Sequence, residues 1–158
     1  MSLSKKEKLY TRQEALIKIS SFCAYQERTQ QEIRDKLYAF GLHKDIVEEL
    51  TSKLVSENFI NEERFAKTYA GGKFRIKKWG RVKIKEALKS KGISEYCIKK
   101  GLQEIDAKDY LLTLLSLIEK RAAKEKEKDE YKRKHKIAQY LVGKGYEADL
   151  VWDTLGGI

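Results

Sequence analysis

Proline is absent from this 158-residue chain, and glycine supplies only 10 residues. A chain so short of both residues is poorly equipped for β-turns and well suited to helices. Long apolar runs are missing too. Nothing approaches the roughly 18 uncharged apolar residues that span a bilayer, so no membrane contact is expected. The first eight residues, Met1-Ser2-Leu3-Ser4-Lys5-Lys6-Glu7-Lys8, lack the apolar core of a signal peptide, which makes the cytoplasm the expected location. The 2 cysteines, Cys23 and Cys97, lie in apolar helical contexts at no metal-binding spacing and read as small core residues.

Catalytic signatures are equally scarce. There is no P-loop, GxGxxG, HExxH or GxSxG motif. The 2 histidines, His43 and His135, lie far apart and read as surface residues. Glu62-Glu63 read as a solvated first helical turn that favours the helix dipole. Phe65 and Tyr69 are of a type that stacks on bases, but their i, i+4 spacing on an apolar face reads first as core. No enzyme activity, metal or cofactor is expected.

What the chain does have is charge, unevenly placed. The formal net charge is +10. Residues 1–72 carry 12 Lys/Arg against 11 Asp/Glu, and residues 101–158 balance at 11 against 11. Between them, residues 73–100 hold 11 basic residues against only Glu86 and Glu95, a net of +9. A focused positive field fits a polyanionic partner, nucleic acid first and an acidic protein surface second.

The chain also repeats itself, a signal that bears on the whole fold. Ile33, Leu37 and Gly41 recur at the same spacing as Ile84, Leu88 and Gly92, and again as Ile137, Leu141 and Gly145. The first non-glycine residue after each Gly is Leu42, Ile93 or Tyr146. The pattern predicts an all-α fold: a tandem array of three three-helix, helix-turn-helix-like repeats, elongated and curved. After an N-terminal tail at 1–10, the expected units are 11–59, 60–105 and 106–158.

Helix starts are expected at the capping boxes Thr11-x-x-Glu14 and Thr29-x-x-Glu32, and at Asn61, Ser94 and Asp106. The third helix should span about Lys44 to Asn58 with Ile46, Val47, Leu50, Leu54 and Val55 inward. Tyr38 belongs to the expected apolar stripe of the second helix. Gly71-Gly72 could bend the fourth helix. The mixed-charge run at 119–130 reads either as an exposed helix end or as a mobile joint. Trp152 is expected to help close the end of the array, and Gly156-Gly157 to fray.

Two helices joined at Gly41, Gly92 or Gly145 look like a helix-turn-helix, whose second helix would read the major groove. A sequence-specific transcriptional regulator is therefore the alternative reading. The segment from Glu95 to Ile105, however, lacks the Arg, Asn and Gln cluster that reads base edges. The cations lie before the Gly instead, which suits phosphate contacts. A third reading, an adaptor that binds no nucleic acid, predicts salt-insensitive partner binding.

The run Ile60-Asn61-Glu62-Glu63-Arg64-Phe65-Ala66-Lys67-Thr68-Tyr69, followed by Gly80-x-x-x-Ile84-x-x-x-Leu88-x-x-Lys91-Gly92-Ile93, resembles the RecX family of bacterial recombination regulators. So do Arg28-Thr29-x-x-Glu32-Ile33-x-x-Lys36-Leu37 and Lys132-Arg133-x-x-Lys136-Ile137-x-x-Tyr140-Leu141-x-x-Lys144-Gly145-Tyr146. The resemblance covers about Ala15 to Leu155. Glu62 stands where the family more usually has Asp, and Gly71-Gly72 is unusual. The resemblance implies a regulator that binds the RecA filament on DNA and modulates, mainly inhibits, RecA's strand exchange, ATP hydrolysis and coprotease activities. A monomer making sequence-nonspecific phosphate contacts is expected.

Arg75, Lys77, Lys78, Arg81, Lys83 and Lys85 are the leading candidates for that electrostatic contact, with Lys89 on the same helix. Lys132, Arg133, Lys134 and Lys136 form a second patch. Trp79, set between Lys77-Lys78 and Gly80-Arg81, is left open between partner contact and packing between units.

Overall fold

A computed structural model of the chain describes residues 9–156. Most of the expected tail at 1–10, and Gly157 of the glycine pair, lie outside the described residues. The described residues form nine helices: α1 Arg12–Tyr25, α2 Gln30–Ala39, α3 Lys44–Ser56, α4 Glu62–Lys77, α5 Arg81–Ser90, α6 Glu95–Leu102, α7 Ala107–Lys124, α8 Glu130–Gly143 and α9 Ala148–Gly156. No strand occurs among the described residues. The fold is an all-α helical repeat.

The helix starts follow from side-chain caps. Thr11, Thr29, Asn61, Ser94, Asp106 and Asp129 each accept a hydrogen bond from the backbone N–H three residues on, which satisfies one of the donors that a helix start leaves open.

The repeated register has a physical cause. Gly41, Gly92 and Gly145 follow α2, α5 and α8 with φ of +83°, +78° and +101°, conformations that only glycine adopts readily. The next residue then folds back. The N–H groups of Leu42, Ile93 and Tyr146 donate to the carbonyls of Leu37, Leu88 and Leu141 at 3.4, 3.2 and 3.1 Å. All six of these side chains are buried, so each turn is closed by hydrogen bonding and by apolar contact together.

Two cores result. Ala15, Ile19, Ile33, Leu37, Val47, Leu50 and Leu54 centre a cluster confined to α1–α3 and their flanks. The second runs without interruption from Phe65 to Leu155, through α4–α9. The first three-helix unit thus buries its own face, whereas the next two share one core. Inside that core α6 crosses α4 at close range. A Cβ on Gly101 would lie 2.7 Å from the Ala66 carbonyl oxygen.

Several expectations are corrected. α4 runs unbroken through Gly71-Gly72, because Gly71 is buried among its neighbours and the helix is anchored on both sides of it by Ala70 and Phe74. α3 stops at Ser56, since Asn58 takes φ +62° and turns the chain. Val55 and Tyr38 are exposed and Ile46 is half-buried. Cys23 is buried as expected, but Cys97 only half so. Glu62 is not fully solvated. It faces Arg34 beside the first unit, and burial pushes its carboxyl up while Arg34 and the Gln30 N–H act the other way.

Arg64, on α4, ties the first unit to the second. It pairs with Glu27 at 2.5 Å and donates to the carbonyls of Asn58 and Phe59 at 3.2 and 3.3 Å. The run at 119–130 is also tied down. Arg133 donates to the carbonyls of Glu125 and Ala122 at 2.7 and 2.5 Å, capping the end of α7.

Candidate nucleic-acid interface

The basic segment 73–100 covers the end of α4, the turn Lys78-Trp79-Gly80, all of α5 and most of α6. Its turn is clamped against the α8–α9 turn. Gly80 N–H donates to Lys144 O and Val82 N–H to Gly145 O, both at 2.9 Å. Tyr146 donates its hydroxyl to Lys78 O at 2.9 Å, and Lys144 Nζ donates to Lys77 O at 3.2 Å. The basic turn therefore sits on a rigid base.

Lys78 caps α4 in the left-handed region at φ +58°. Glycine is the residue that normally takes such a cap, and a side chain there costs about 1–2 kcal/mol. The fold accepts a strained cation at the tip of its most positive segment.

α5 divides its cations between two flanks. Ile84 and Leu88 face the core. Helical geometry places Lys83 about 160° around the axis from Lys85. On the Lys83 flank, the Trp79 ring carries two ammonium groups, Lys83 at 4.6 Å and Lys73 at 4.9 Å from its centroid. Lys73 and Lys91 also lie 5.5 and 5.7 Å from the Tyr69 centroid. Trp79 packs against the larger core while remaining half-exposed. Tyr69, Lys73, Trp79, Lys83 and Lys91 thus make one face in which aromatic rings alternate with cations. Beside it, Tyr69, Lys73, Ile76 and Lys77 edge a shallow groove of about 260 Å³.

The remaining candidates separate. Arg75 and Lys78 turn toward α7, lining a groove with Asp109 and Lys120. Lys85 lies on the other flank of α5, with Arg81, in a groove against α6. Lys89 is exposed. Arg81 is committed internally. Its guanidinium lies 3.9 Å from the Tyr110 centroid and pairs with Glu147 at 3.4 Å.

Availability separates the segment from the second patch. Among the described residues, Arg81 is the one cation of segment 73–100 that has an ion pair. In the second patch, Lys134 pairs with Glu130, Lys136 pairs with Glu127 and Arg133 caps α7. The Lys136–Glu127 contact pushes the lysine up and the carboxyl down. Of that patch only Lys132 has neither an ion pair nor a side-chain hydrogen bond among the described residues.

Sequence reasoning missed Lys73 and Lys91 as members of the face and assigned Tyr69 to the core ahead of base stacking. The row Tyr69, Lys73, Lys77 at i, i+4 steps was the available signal. His135 is not a plain surface residue. It is held between Tyr131 at 4.4 Å and Trp152 at 4.8 Å. Among the described residues no cluster of His, Cys, Asp or Glu could hold a metal ion, and no helix is long and apolar enough to cross a membrane.

Family models for the second and third three-helix domains of RecX match residues 61–102 and 108–155. The chain is similar to the regulatory protein RecX of Clostridium perfringens (strain SM101 / Type A), at 38% identity over 124 residues, 77% of this chain and 58% of that one. It is similar to the RecX of Bacillus mycoides (strain KBAB4), at 32% over 139 residues, 88% of this chain and 52% of that one. The chain therefore spans little more than half the length of these curated relatives. The crystal structure of RecX from Lactobacillus salivarius superposes with a TM-score of 0.84 at 25% identity, covering 92% of this chain and 95% of that one.

Proposed function

The chain belongs to the RecX family, and from that premise we propose that it is a non-catalytic regulator that binds the RecA–DNA filament and lowers RecA's strand exchange, ATP hydrolysis and coprotease activities. It does so as a monomer built from repeats 11–59, 60–105 and 106–158. The observation that carries the reading is the face formed by Tyr69, Lys73, Trp79, Lys83 and Lys91, with Lys77 beside it. Its cations are free to meet phosphates, which position a protein without specifying sequence. Its rings hold those ammonium groups by cation–π contact, and Tyr69 is itself stacked on Phe65 at 5.8 Å.

The helix-turn-helix alternative finds less support. α6, which would be the reading helix, is Glu-Tyr-Cys-Ile-Lys-Lys-Gly-Leu, and none of its residues is Arg, Asn or Gln. Co-sedimentation with RecA assembled on single-stranded DNA tests the proposal. Binding is expected to weaken steeply as salt rises, because released counterions drive it. Lys73→Glu/Lys83→Glu is expected to weaken binding further at every salt concentration. A chain that stays in the supernatant, or that selects a defined duplex sequence, would overturn the proposal.

A further inference from the structure

The groove between α5 and α6 has a different chemistry from the Trp79 face. It encloses about 570 Å³, with Arg81 and Lys85 on one wall and Glu95, Lys99 and Gln103 on the other. Ile98, Leu102 and Ile105 form its floor. No aromatic ring lines it, so it offers no platform for a base. The start of α5 beside it is not a phosphate cradle either. The Arg81 N–H is taken by the Tyr110 hydroxyl at 3.1 Å and the Val82 N–H by Gly145 O at 2.9 Å.

We propose that this groove docks a short acidic peptide segment of a partner protein, in which apolar side chains alternate with carboxylates. Charge complementarity selects the occupant. Lys85 and Lys99 are exposed and have no ion pair to a described residue. Arg81 is fixed in the wall by the Tyr110 ring and Glu147, so one side of the groove is already organised before a ligand arrives. The apolar floor accepts side chains that a phosphodiester strand does not have. Glu95, at the α6 start, repels carboxylates at that end and so sets the direction in which a peptide lies. The site lies across α5 from the Trp79 face, so both can be occupied together.

The test needs neither RecA nor DNA to be present, so it is independent of the filament proposal. A fluorescein-labelled peptide of about ten residues, alternating leucine and aspartate, is titrated with the full chain and followed by anisotropy. Lys85→Glu/Lys99→Glu is expected to weaken binding by about tenfold or more. Lys73→Glu/Lys83→Glu makes the same charge change on the opposite flank and is expected to leave binding unchanged. Serine in place of the peptide's leucines is expected to weaken binding by about tenfold as well. Thermal melts of both variants check that these surface changes leave the fold intact. Equal losses from the two variants would reduce the effect to net charge and overturn the proposal. So would indifference to the leucines, absence of binding, or a thymidine oligomer that displaces the peptide and itself depends on Lys85 and Lys99.

Discussion

Tyr110 donates its hydroxyl to the Glu147 carboxylate at 2.7 Å. The same oxygen accepts the Arg81 N–H at 3.1 Å. One phenol therefore joins the starts of α5 and α7 to the turn before α9, and the Tyr146 ring packs against it with centroids 5.0 Å apart.

Both phenols are pushed above the ordinary tyrosine pKa, mainly by burial, with the nearby Glu147 charge adding to it. The unfolded chain gives up these protons near pH 10, while the folded chain keeps them. This stabilisation is complete below that pH and drains away as pH rises further. Resistance to urea is expected to fall from about pH 10 upward, and to fall less steeply in Tyr110→Phe. At neutral pH the same variant should lose about 1–3 kcal/mol, because the Arg81 N–H and Glu147 lose a partner. Parallel pH slopes in the two proteins would contradict this.

Gly80 and Gly92 should rank opposite to what their backbone angles alone imply. Gly92 has φ +78°, yet nothing lies within 4 Å of a Cβ placed there. Gly80 has an ordinary φ of −77°, but its Cβ would lie 2.2 Å from the Gly145 carbonyl. Gly92→Ala is expected to cost about 1 kcal/mol. Gly80→Ala should cost about 2–3 kcal/mol, because the two turns must separate. Urea midpoints at unchanged slope measure both, and the reverse order would show that the clamp yields easily.

Arg64→Ala removes the tie between the two cores and leaves Glu27, whose Oε2 is already buried without a hydrogen bond, in need of a new partner. A loss of about 1–3 kcal/mol is expected. It should be read most clearly as faster amide exchange in α1–α3 than in α4–α9. Arg64→Lys should recover little, since one ammonium cannot replace a planar group that reaches Glu27 and two carbonyls. Uniform exchange across all the helices would remove Arg64 from this role.

The scaffold was readable because its determinants are local. The Ile–Leu–Gly register encodes a backbone turn in which Leu37, Leu88 or Leu141 accepts a bond from the residue after the glycine. The capping residues act over three positions. Failures came where tertiary contacts decide. Gly71-Gly72 stays helical because packed neighbours hold α4 on either side. Arg133 looked like a free cation, and the structure assigns it to the end of α7. Arg81 looked like a surface contact, but it is bound to Tyr110 and Glu147, residues 29 and 66 positions away in sequence. The Trp79 face was half legible: the charge run located it, but only the fold brings Lys73 and Lys91 to Tyr69.

Lys78→Gly should separate stability from function. Glycine relieves the strain at φ +58° and is expected to raise stability by about 1 kcal/mol. Removing a cation that turns toward α7, outside the Trp79 face, should at the same time lower the affinity for single-stranded DNA, though less than Lys73→Glu/Lys83→Glu does. Denaturation and fluorescence anisotropy on the same preparation measure the two effects. A variant that gains stability with unchanged DNA binding would show that the lysine is incidental.

RecA-driven hydrolysis of ATP on single-stranded DNA, followed as the intact chain is added, bears most directly on the proposed regulation. Hydrolysis is predicted to fall once the chain reaches amounts comparable to the recombinase, and Lys73→Glu/Lys83→Glu should require several-fold more protein for the same effect. Hydrolysis that continues unchanged at stoichiometric amounts of the intact chain would contradict the account.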